Sequence, residues 1–103
     1  MAYGDDADLP ATVEQLRLAV RVAGSDFDDE LTALARAAVE DMGRAGVPDE
    51  FLASGSPLVR HACLCFVKAH FGFDNADADR LASSYRQALC DLLNSPSLTG
   101  ASR

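Results

Sequence analysis

Between Ser56 and Gly72 the chain carries a stretch that only a helix enclosed by neighbours accommodates. Ser56-Pro57 sets a cap residue before a proline at the first helical position, where the missing N–H costs nothing. From Leu58 to Phe71 the residues are apolar on nearly every side of such a helix: Leu58, Val59, Ala62, Cys63, Leu64, Cys65, Phe66, Val67, Ala69 and Phe71. A helix without a polar face must be covered. In a chain of 103 residues the remaining helices are expected to cover it incompletely, and exposed apolar surface of that kind marks a contact with another subunit. The expectation is a self-associating protein, with Leu58, Leu64, Phe66 and Phe71 as the candidate oligomer interface.

Three further helices are legible around this one. Thr12 followed by Gln15 is a capping-box pattern that starts a short helix to about Val22, and Gly24-Ser25 breaks it. Ser25 or Asp26 is expected to cap a second helix, whose apolar positions are Phe27, Leu31, Leu34, Ala35, Ala38, Val39 and Met42. Their spacings of 4, 3, 1, 3, 1 and 3 describe one buried stripe. Asp26, Asp28, Asp29 and Glu30 lie where negative charge complements the helix dipole. Gly43 or Gly46 supplies the stop, and Pro48 prevents continuation. After the apolar third helix, Gly72 and then Asp74-Asn75 turn the chain into a fourth, from about Ala76 to Asn94. Leu81, Ala82, Tyr85, Ala88, Leu89, Leu92 and Leu93 share one side of it. The tight Phe71–Asn75 turn predicts an antiparallel hairpin of the third and fourth helices. The fold class is therefore all-α: a small four-helix domain over residues 12–95 around a central apolar third helix. A flexible N-terminus, 1–11, and a flexible C-terminal tail, 96–103, are expected to flank it.

Charge narrows the partners. Nine Lys and Arg face sixteen Asp and Glu, for a net charge of −7. A protein that grips DNA from outside brings a basic surplus to release counterions, so this balance disfavours that role. Apolar residues at 49% and charged residues at 24% are the proportions of a globular chain. No apolar run approaches the roughly 20 residues of a membrane span, and the acidic start, Asp5, Asp6 and Asp8, is unlike a signal peptide. Three cysteines, Cys63, Cys65 and Cys90, all in apolar helical stretches, argue against a disulfide scaffold and for synthesis in a reducing cytoplasm.

A search for chemistry yields little. His61 and Cys65 stand four apart on one helix face, the spacing of a chelate, but no third ligand is evident. Cys63 and Cys65 point about 200° apart around a helix and cannot grip one ion. The cysteines therefore read as small core residues. Asp74-Asn75-Ala76-Asp77-Ala78-Asp79 lacks the glycine at position six and the glutamate at position twelve of a calcium loop, where Asp79 and Tyr85 stand instead. It reads as a helix cap followed by acidic residues in the first turn. Nothing orients His61 or His70 as a base, so each is expected in the core or at an interface. No phosphate-binding loop or dinucleotide fingerprint is present. The expectation is no enzyme, no metal and no cofactor.

Val13-Glu14-Gln15-Leu16-Arg17-Leu18, Phe27-Asp28-Asp29-Glu30-Leu31, Ala37-Ala38 and Ala45-Gly46-Val47 resemble the first half of small phage head–tail connector proteins, also labelled phage DNA-packaging proteins. Pro57-Leu58-Val59, the run from Phe66 to Arg80, and Ser84-Tyr85 resemble the second half. The resemblance covers about residues 12–94, and its most specific part is the Val-Lys-Ala-x-Phe-Gly-aromatic-Asp-Asn segment. It singles out Phe66, Lys68, Phe71, Gly72, Phe73, Asp74, Asn75, Asp77 and Tyr85 as motif residues. Tyr or Asn is common in the family where Phe66, His70 and Phe73 stand here.

That resemblance implies a structural subunit made in the bacterial cytoplasm and carried at the virion head–tail junction of a phage or prophage. It would assemble as a homo-oligomeric ring on the portal protein, adapt the portal to a later connector or tail protein, and let DNA pass without binding it. An acidic lumen would repel phosphates and let the duplex slide; a lumen lined by Arg17, Arg21 and Arg44 would contradict that expectation. Two other readings stand beside it. A packaging factor that contacts DNA directly would need a basic recognition helix, which no segment supplies. An acidic helical adaptor or regulatory module would use the same apolar face on another partner.

Overall fold

The computed structural model describes residues 9–52, 56–72 and 76–94. Four long helices, with one short turn of helix between the second and third of them, account for the regular structure there: α1 (Val13–Val20), α2 (Asp28–Ala45), α3 (Asp49–Leu52), α4 (Pro57–His70) and α5 (Ala78–Leu93). The all-α class expected from periodicity is the one observed, and no strand occurs among the described residues.

Local chemistry explains the ends. The Thr12 hydroxyl accepts from the Gln15 amide at 3.1 Å, and the Gln15 side chain accepts from the Thr12 amide at 2.9 Å, a reciprocal capping box. Helix α1 ends earlier than expected, because Arg21 adopts a left-handed conformation at φ 64°. The Val22 amide then reaches back to the Arg17 carbonyl at 3.0 Å. The break therefore falls at Arg21, ahead of Gly24. The second helix closes in the same way on Gly46, at φ 120°, with the Val47 amide on the Met42 carbonyl at 3.0 Å. Gly43 stays within the helix. Helix α4 starts on Ser56 and Pro57 as expected, and Gly72, at φ 85°, follows its end.

The expectations at the start of α2 are corrected. The residue at the N-cap of α2 is Phe27, without a side-chain cap bond, so neither Ser25 nor Asp26 fills that role. Phe27 consequently lies outside the buried stripe and is 43% exposed. The short helix α3 was not anticipated; Asp49 and Glu50 sit in its first turn, just after Pro48. Leu9 and Ala11, just ahead of α1, are buried in the core. The expected Asp74-Asn75 cap lies outside the described residues, and α5 begins from Asp77.

Helix α4 is the axis of the packing. Its most extensive neighbour is α5, and α2 and α1 also pack on it. Leu58 shares a cleft with Asp91, while Phe66 touches Tyr85, so α4 and α5 run antiparallel. Leu16, Leu31, Ala35, Ala38, Met42, Val59, Ala62, Cys63 and Val67 are fully buried in one core. With three helices around it, α4 is sheltered by its own chain more than its composition suggests: Leu64, Phe66 and Phe71 are partly buried against that core.

Candidate functional site

Helix α4, its hairpin with α5, and the surfaces beside them hold the residues singled out from sequence. The Tyr85 hydroxyl donates to the Asp41 carboxylate at 2.6 Å, joining α5 to α2. The Tyr85 ring meets Phe66 edge-on at 5.2 Å, and Phe66 stacks on His70 at 4.2 Å. His70 is exposed, and its Nδ1 donates to the Phe66 carbonyl at 2.9 Å. Phe71 meets Phe27 edge-on at 5.4 Å and so pins the α4 terminus to the start of α2. Burial raises the Tyr85 phenol well above its ordinary value, and the Asp41 carboxylate raises it further by favouring the protonated donor.

The remaining motif residues are spread out. Lys68 is half-buried on α4, and Gly72 provides the left-handed turn after it. Asp77 lies at the N-cap of α5, within 3.4 Å of Arg80 in an exposed ion pair. Phe73, Asp74 and Asn75 lie outside the described residues.

His61 and Cys65 do meet, with Nε2 and Sγ 3.7 Å apart. Among the described residues no group of three His, Cys, Asp or Glu is placed to hold a metal ion. Burial pushes the Cys63 thiol up to about 12. Cys65 is also raised by burial, against a smaller opposing effect of Lys68 and Arg80. Both thiols therefore stay protonated at neutral pH, and protonated thiols are poor ligands and poor nucleophiles. His61 lies at the surface, as His70 does, so neither is a core histidine.

Of the four candidate interface residues, Leu58 alone is exposed, at 36%. The most exposed large apolar side chain among the described residues was not singled out from sequence: Leu18 on α1, at 78%. A signal for it existed. Leu16 and Leu18 stand two apart, which places them on opposite faces of a helix. Leu16 is fully buried, so Leu18 must point away from the core. Beside it, Arg17 makes a two-bond ion pair with Asp28, Nε to Oδ1 at 2.8 Å and the second nitrogen to Oδ2 at 2.5 Å. The pair ties α1 to the first turn of α2. That guanidinium holds the Asp28 carboxyl below its ordinary range.

Aromatic contacts between helices, protonated buried thiols and outward-facing leucines define a small helical packing module, with its distinctive side chains committed to contacts. The chain belongs to the phage connector protein family, whose model matches residues 13–97, from the start of α1 to beyond the end of α5. It is thus a bacteriophage structural protein of the head–tail connector kind, the family its sequence resembles. No curated protein and no solved structure gives a significant match.

Proposed function

We propose that the protein is a subunit of the head–tail connector of a tailed phage or prophage, and that it assembles as a ring on the portal at the head–tail junction. The ring adapts the portal to the next connector or tail protein and leaves a channel for DNA. The observation that carries this reading is the family match, which runs through every helix of the core. Three properties support it. The net charge of −7 suits a protein that DNA passes rather than one that holds it. Leu18, Phe27 and Leu58 offer exposed apolar contacts on the protein surface. No helix among the described residues is long and apolar enough to cross a membrane. In this reading the protein is no enzyme: its conspicuous side chains hold the helices together.

Deletion of the gene tests the proposal. Connector loss leaves heads filled with DNA but without tails, and purified protein mixed with portal assemblies raises the scattered light beyond the sum of the two. Tailed, infectious particles from the deletion would overturn it. Empty heads together with a gel shift at low salt would favour the DNA-packaging factor instead.

A further inference from the structure

Two features on different elements carry apolar surface flanked by complementary charge. The first is a leucine knob at the rim of a shallow hollow that Glu14, Arg17, Val22 and Ala23 also line. Leu18 projects from α1 with Glu14 one turn before it and Arg21 one turn after, all three exposed. Arg21 occupies a left-handed backbone position at φ 64°, which strains any side chain except glycine.

The second is a cleft of about 210 Å³ between α4 and α5. Leu58 and Ala88 form its apolar part, His61 stands on the α4 wall, and Gln87 and Asp91 stand on the α5 wall. Gln87 donates to Asp91 at 3.1 Å, and a carboxylate accepts more than one bond, so the exposed Asp91 remains open to an incoming donor. The knob thus carries a carboxylate and a guanidinium around a leucine, and the cleft carries an imidazole and a carboxylate around an apolar floor. No α1 residue lines the cleft, so one molecule presents both features without filling its own cleft.

We propose that copies of this chain associate head-to-tail, with Leu18 of one copy seated between Leu58 and Ala88 of the next and Arg21 paired with Asp91. Glu14 then lies towards His61. A contact between two different patches repeats from copy to copy and closes into a ring when the rotation permits, whereas a two-fold contact stops at a dimer. The inference rests on the ring assembly proposed above and names the two faces that build it. It also places Arg21 at a subunit boundary, while Arg17 is already held by Asp28.

Sedimentation equilibrium up to millimolar protein tests it with two single variants. Leu18→Asp spoils the knob and Leu58→Glu spoils the cleft; each should weaken self-association about ten- to a hundredfold, the range for burying one leucine. Circular dichroism confirms that each remains folded. The decisive sample is their equimolar mixture, in which each variant retains one intact face, so association returns but halts at one-to-one dimers. A charge exchange gives an independent readout: Arg21→Glu weakens association, and adding Asp91→Arg to the same chain restores it. Wild-type protein that stays monomeric at millimolar concentration, a single variant that assembles like wild type, or a mixture that stays monomeric would each overturn the inference. The connector reading itself stands or falls separately, on the tail-less particles of the gene deletion.

Discussion

The Tyr85 hydroxyl and the Asp41 carboxylate, 44 residues apart in sequence, lie 2.6 Å from each other and join α5 to α2. The bond is charge-assisted, and the ring that carries it is buried against Phe66. One side chain thus serves both the aromatic cluster and the polar link between α2 and α5.

Tyr85→Phe keeps the ring and removes the bond, leaving Asp41 without that donor. It should lower stability by about 1–2 kcal/mol, read as a lower urea midpoint at an unchanged slope. Tyr85→Ala, which also empties the ring's place, should cost about 3–5 kcal/mol. A Phe variant as stable as wild type would show that the bond contributes nothing.

The same phenol predicts an alkaline limit. Its folded value is raised, so the folded state holds the proton after the unfolded chain has released it. Its contribution to stability is complete below the unfolded value of about 10 and is lost as pH rises above that point. Cys63, raised to about 12, acts with the same sign from a lower starting point. Stability measured from pH 7 to 11 should therefore fall at the alkaline end, and less steeply in Cys63→Ala relative to that variant's own neutral value. A thiol reagent at neutral pH should label the exposed Cys90 first, with buried Cys63 and Cys65 reacting only on unfolding.

At the acid end the sign reverses. The Asp28 carboxyl is held below its ordinary value by Arg17, so its contribution is present above the unfolded value of about 3.9 and is lost as pH falls through the folded one. In an NMR titration, Arg17→Gln should move the Asp28 midpoint upward, and added salt should narrow the difference between the two proteins. An unmoved midpoint would mean that the ion pair does not persist in solution.

Two helix ends of the same design hold different residues, Arg21 at φ 64° and Gly46 at φ 120°. Gly46→Ala should destabilise by about 1–2 kcal/mol from backbone strain, since its new Cβ would meet Leu93 only at an ordinary contact distance of 3.5 Å. Arg21→Gly should stabilise the folded chain, by up to about 1 kcal/mol, because glycine carries no such strain. Chemical denaturation of both variants checks the pair; opposite signs are the expected outcome.

Much of this protein was determined within single segments. The Thr12–Gln15 capping box, Ser56-Pro57, a stop at Gly43 or Gly46 and the stripe through Leu31, Ala35, Ala38 and Met42 depend on residues within a turn or two of one another, so sequence alone reveals them. The motif from Val67 to Asn75 likewise carried the family without any geometry. Tertiary structure decided what depends on how separate helices meet. Periodicity identifies which residues share a face but not what covers that face. That is why α4, apolar nearly all round, proved sheltered by α1, α2 and α5, while Leu18 of α1 became the most exposed large apolar side chain described. Leu9 and Ala11 are buried, Phe27 is half outside, and Tyr85 reaches Asp41, all because of neighbours distant in sequence.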